Sequence, residues 1–146
     1  MADFVFNIAL GAVAEMVRDG ASNLGLLLLK TSEADGTLRD HDTLAAIFGG
    51  SNAECDATNY GRKTSLTGTI TVDDTNNRVD IDVADQTFTA LGGASNDNIL
   101  DAIFFYQNSA ADSGRIPCTC HDFVVTTDGS DLTLQVNAAG IFRAQG

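Results

Sequence analysis

"TVDDTNNRVDIDV", residues 71–83, is dense in carboxylates and amides, which suits either a cation-binding loop or a turn between two strands. A calcium loop of the EF-hand kind needs oxygen ligands at alternate positions, a glycine at the sixth and a glutamate at the twelfth. Counted from Asp74, the third position is Asn76, but the fifth is Arg78, the sixth is Val79, and no glutamate follows in place. Val79, Ile81 and Val83 instead alternate with Asp80 and Asp82, the period of a strand with one apolar and one solvated face. Asp73 to Asn77 supplies turn residues that bond their own backbone and tolerate positive φ. Ile70 and Val72 before the turn match Val79 and Ile81 after it, so the stretch reads as a β-hairpin.

The same period spreads outward. Short strands are expected at about 58–66, 69–73, 78–83, 87–91, 99–106, 118–126, 131–137 and 140–143, separated by Gly, Asn and Asp turns. Leu24 to Leu29 is a short apolar run between turn formers and reads as a strand buried on both faces. Phe4, Phe6, Ile8 and Leu10 alternate with less apolar positions, so residues 1–14 read as an extended N-terminal arm or strand; Val13, Met16 and Val17 allow a helical period to begin near Gly11. The segment "TLRDHDTLAAIFGG" predicts one short α-helix near residues 40–49, with Asp40 or Asp42 as its cap, a Leu44, Ile47, Phe48 stripe, and Gly49–Gly50 at its end. Many short strands and one small helix predict a mainly β, antiparallel β-sandwich of jelly-roll-like form, a single domain over residues 1–146.

Composition fits a packed domain: 146 residues, 44% hydrophobic, 19% charged. Twenty acidic residues against 8 basic ones give a net charge of −12, a field that repels phosphate backbones, so no nucleic-acid partner is expected. The longest apolar run is far short of the roughly 20 residues of a membrane-spanning helix, so no membrane partner is expected either. The early Asp3 and Asn7, with no Lys or Arg before Arg18, argue against a signal peptide. Three cysteines, two of them nearly adjacent, suit a reducing compartment.

Candidate chemistry is thin. In "IPCTCHDF", a strand places Cys118 and Cys120 on one side and His121 on the other, which prevents the three from converging on zinc. "DHD" around His41 and "CHD" around His121 hold residue types of a hydrolytic triad, but no G-x-S-x-G elbow, phosphate loop, dinucleotide fingerprint or H-E-x-x-H occurs. The expectation is a protein that is not an enzyme, with no catalytic residues, no metal and no cofactor. The scarce cations Arg62, Lys63 and Arg143 are candidates for pairing across an interface. Phe4, Phe6 and Ile8 either join them there by adding a strand to a neighbour's sheet or complete the sheet of their own protomer.

The stretches "TLRDHDTLAAIF", "TNYGRKT", "TVDDTNNRVDIDVADQTFTALGG" and "HDFVVTTDGSDLTLQVNAAGIFRA" resemble a family of small virion proteins of tailed bacteriophages, over about residues 3–144. The resemblance implies a structural protein, foremost a head decoration or cement protein. Such a protein is made in the host bacterial cytoplasm and sits on the outer surface of the capsid at capsomer junctions. Its implied partners are the major capsid protein and further copies of itself, as a trimer or other small homo-oligomer. A tail or head-to-tail joining subunit is the other virion role. A sandwich whose loops hold a sugar or calcium, and a hydrolase built on His41 or His121, are the readings from other classes.

Overall fold

The computed structural model describes residues 2–145. In chain order the elements are β1 (Phe4–Val5), α1 (Asn7–Arg18), β2 (Leu24–Thr31), α2 (Asp35–Leu38), α3 (Leu44–Gly49), β3 (Ala53–Glu54), β4 (Lys63–Leu66) and β5 (Thr69–Asp73). They continue with β6 (Arg78–Asp82), β7 (Gln86–Phe88), β8 (Asn98–Tyr106), β9 (Ile116–Thr126), β10 (Leu132–Leu134) and β11 (Phe142–Gln145). The protein is mainly β, and every strand pairing is antiparallel.

The larger sheet runs β1-β9-β8-β2-β3, with β4 also paired to β2. At its centre, β2 reads Leu-Gly-Leu-Leu-Leu-Leu and is buried from Leu24 to Leu29, as a strand covered on both faces must be. Cross-strand partners share a face. Leu26, Phe104 and Thr119 therefore look to one side with Leu28, Ala102 and His121. Leu27, Ile103 and Cys120 look to the other. Helix α1 covers that second side, with Met16 Sδ 3.5 Å from Cys118 Sγ. Against the first side lie a three-stranded sheet, β11-β6-β5, and the ribbon β10-β7. Their Ile81, Phe142, Phe88 and Leu134 join the common core, which makes the architecture sandwich-like.

The hairpin forms in the expected register, Ile70 opposite Ile81 and Val72 opposite Val79. Asp73 accepts from the Asn76 backbone N–H at 3.1 Å and its Nδ2 at 2.7 Å, and Asn77 takes φ 51° to close the turn. The carboxylates of β6 are less solvated than the alternation suggests. Asp80 is held by Arg143 Nε at 2.6 Å and lies 3.0 Å from Arg78 Nε.

Two expectations are corrected. The N-terminal arm is a strand only at Phe4–Val5, and from Asn7 to Arg18 it is the longest helix. Ala9, Ala12 and Met16 form its buried stripe while Leu10 points outward, 61% exposed. The single expected helix is α3, starting at Leu44; its cap is Thr43, whose side chain accepts from the Ala46 N–H at 3.1 Å, not Asp40 or Asp42. The one-turn α2 is a third helix that the apolar pattern does not signal.

Candidate functional site

Every one of the eight basic side chains has an acidic or aromatic partner within the chain. Arg62 is the clearest case. It donates to Glu54 through Nε at 3.0 Å and Nη2 at 2.5 Å, and to Asp112 through Nη1 at 2.6 Å. Its guanidinium lies over the rings of Phe48 and Phe105, 5.5 and 5.8 Å from their centroids. Planar stacking with paired carboxylates is the arrangement that arginine favours and lysine cannot reproduce. The carboxylates hold the Arg62 pKa above its ordinary value, so the charge is fixed.

The other cations follow suit. Lys30 is ion-paired with Asp56 and lies 3.5 Å from Asp97, Arg115 reaches Asp112 at 2.8 Å, and Arg143 and Arg78 share Asp80. Lys63 and Arg39 lie over the Phe88 and Phe4 rings. Arg18, at the end of α1, is 3.9 Å from Glu15 and 76% exposed. With seven of its cations held by carboxylates or rings and Arg18 exposed, the surface is left with the excess carboxylates.

The expected interface residues fall accordingly. Phe4 and Phe6 are buried in the protomer's own core, where β1 pairs with β9 and the Phe6 N–H donates to Cys118 O. Ile8 packs against the same core from α1. Arg62, Lys63 and Arg143 all have partners within the chain.

The two candidate triad histidines sit in separate hydrogen-bond networks. His41 Nε2 is 2.8 Å from Glu33 Oε2, in a network where Glu33 also accepts from the Ser51 N–H and Asn52 Nδ2. Those donors hold the Glu33 carboxyl down at about 2. His121 lies between Asp3, 3.2 Å from Nδ1, and Thr119 Oγ1, 3.0 Å from Nε2. The three cysteines are free and buried, and burial pushes Cys55 up to about 11 and Cys118 up to about 12. Among the described residues no group of three or more His, Cys, Asp or Glu is placed to hold a metal.

The best-formed concavity, about 390 Å³, opens between β9 and the segment that leads from β10 to β11. Its first wall is His121, Asp122 and Phe123, with Asp3 beside them and Phe104 as the floor. A regular strand would send successive side chains to opposite faces. Here, between the pairs Ile99–Val125 and Asp101–Asp122, β9 carries one residue more than β8, and this bulge lets three neighbours line one cleft. Asp3 fastens the wall: its carboxylate accepts from the Asp122 N–H at 2.8 Å and meets His121. The second wall is Leu134 to Asn137 with Ala139 to Ile141. Gly140 takes φ 87°, and a Cβ there would strike the Ile81 carbonyl, so the tight return into β11 requires glycine. Among the described residues no lysine or arginine lines the cleft.

Sequence reasoning singles out His121 but not Asp3, 118 residues away, because only the β1–β9 pairing brings them together. Comparison with family models, with curated proteins and with solved structures finds no match for this chain.

Proposed function

We propose that the chain is an adhesive structural protein of a tailed-phage virion, a decoration or cement protein that binds the outside of the capsid at capsomer junctions. The observation that carries this reading is the engagement of seven of the eight cations by carboxylates or rings inside the chain, with Arg18 alone left loosely held. An outer surface of uncompensated carboxylates steers the protein toward basic protein surfaces and away from packaged DNA. The phage-like stretches of sequence support the same reading. The partners are then the major capsid protein and copies of this chain, in a small oligomer such as a trimer.

The test is co-sedimentation of the purified protein with capsid shells that lack it, followed by imaging of the particles. Stoichiometric pelleting with density on the outer surface between capsomers is the expected result. A protein that stays in the supernatant, or density confined to the neck or tail, would overturn the proposal.

A further inference from the structure

We infer that the outward face of α1 is the surface on which two copies of this chain pair, helix against helix and antiparallel. Within α1 the polar side chains are Asn7, Glu15 and Arg18, and the rest of its circumference is apolar. A helix that is apolar nearly all round belongs in an interior. The covered face of this one is Ala9, Ala12 and Met16. At about 3.6 residues per turn the opposite face carries Leu10, Gly11, Ala14 and Arg18. All four are exposed, Leu10 at 61%. Glycine inside a helix weakens it, and a Cβ added at Gly11 would meet nothing of its own chain within 4 Å. Packing within the protomer therefore gives no reason for glycine here, whereas the close approach of a second helix does.

Charge identifies the occupant as a second copy. Arg18, 76% exposed and joined to Glu15 by a long 3.9 Å ion pair, stands at the C-terminal end of the face. At the N-terminal end Asn7 donates through Nδ2 to Asp40 Oδ1 at 2.6 Å, which holds an exposed carboxylate beside the helix. A parallel pair would set Arg18 against Arg18 and Asp40 against Asp40. An antiparallel pair about a two-fold axis sets each Arg18 beside the Asn7–Asp40 end of the other copy, and each Gly11 beside the other's Ala14. Copies with a net charge of −12 repel one another at long range, so a self-contact needs apolar burial and a cation, and this face supplies both. One helix pair buries less than the roughly 1,200 Å² of a standard stable interface, so the pairing is concentration-dependent. The inference rests on the adhesive reading only in the expectation that copies associate, and it selects the two-fold pair among small oligomers.

The test is sedimentation velocity of the full chain without capsid, from about 10 μM to about 1 mM, where a contact of this size is populated. A reversible shift from monomer to dimer is expected. Leu10→Glu and Arg18→Glu should each weaken association by about tenfold or more, with helix content unchanged by circular dichroism. Arg18→Glu/Asp40→Lys exchanges the two charges and should recover most of what Arg18→Glu loses. Val124→Glu, at a 74% exposed position on β9, should leave association unchanged.

A monomer throughout the range, a trimer, or a dimer that tolerates both Leu10→Glu and Arg18→Glu would overturn the inference. So would a Leu10→Glu protein that associates normally but no longer pellets with capsid shells, since the face would then belong to the capsid protein. Should the charge-exchanged variant fail to fold, Leu10→Glu decides together with amide hydrogen exchange of the unaltered protein, in which protection across residues 7–18 should rise with concentration. Because no capsid is present in the association assay, its failure leaves the adhesive reading to its own sedimentation test.

Discussion

Asp101 is the residue at which burial and charge conflict most directly. It is 0% exposed in the middle of β8, its carboxylate oxygens meet no donor at close hydrogen-bond distance among the described residues, and it faces Asp122 across the sheet with Asp35 of α2 nearby. Burial raises its pKa, and Asp122 and Asp35 raise it further, while Ser32 offsets part of the effect. A raised carboxyl favours the folded state below its unfolded pKa of about 4 and loses that contribution as pH climbs toward the folded value. Asp101→Asn should therefore be more stable than the parent at pH 8 and lose that advantage by about pH 4, as denaturant melts at the two pH values would show. Glu33 behaves in the opposite sense. Ser51, His41 and Asn52 lower it to about 2, so its contribution is present above about 4.5 and fades as pH falls toward 2. Glu33→Gln should flatten the acid limb of the stability profile in that window.

Tyr60 is a third such residue. Its hydroxyl donates to Glu54 at 2.7 Å and accepts from the Leu28 N–H at 3.1 Å, closing a gap in the buried β2 ladder. Tyr60→Phe strands that N–H and should cost about 1 to 3 kcal/mol in urea unfolding.

Among the elements, β2 and β8 meet most tightly at Gly25, which lies opposite Phe105. A Cβ at this position would fall inside the Phe105 ring. Gly25→Ala should cost about 1 to 3 kcal/mol or more through overpacking, and combining it with Phe105→Leu should recover part of that loss. How far each element can be read from sequence follows from which side chains are buried. The β5–β6 hairpin is legible because Val79 and Ile81 alternate with aspartates while Asp73 and Asn77 mark the turn. Helix α1 is not, because Phe4, Phe6, Ile8 and Leu10 fit a period of two. Its true buried stripe is Ala9, Ala12 and Met16, two of which carry little hydropathy signal. The cleft is legible only at His121, since Asp3 and the bulge beside Asp122 and Phe123 depend on long-range pairing.

For the whole molecule, the charge distribution matters more than any one bond. A surface from which cations have been withdrawn binds basic partners through long-range attraction that salt screens over a Debye length of roughly 8 Å at physiological ionic strength. The proposed capsid binding should weaken as salt rises, mostly through a slower association rate, which stopped-flow or surface-based kinetics would measure. The withdrawal has a further effect on how the folded chain meets a protease. Trypsin cuts after lysine or arginine only if it can draw the cation into its own pocket. Seven of the eight sites here are tied down by carboxylates or rings, and only Arg18 stands free enough to be taken. Limited digestion of the native protein should thus begin with a single nick at the end of α1, with the body beyond it resisting until it unfolds.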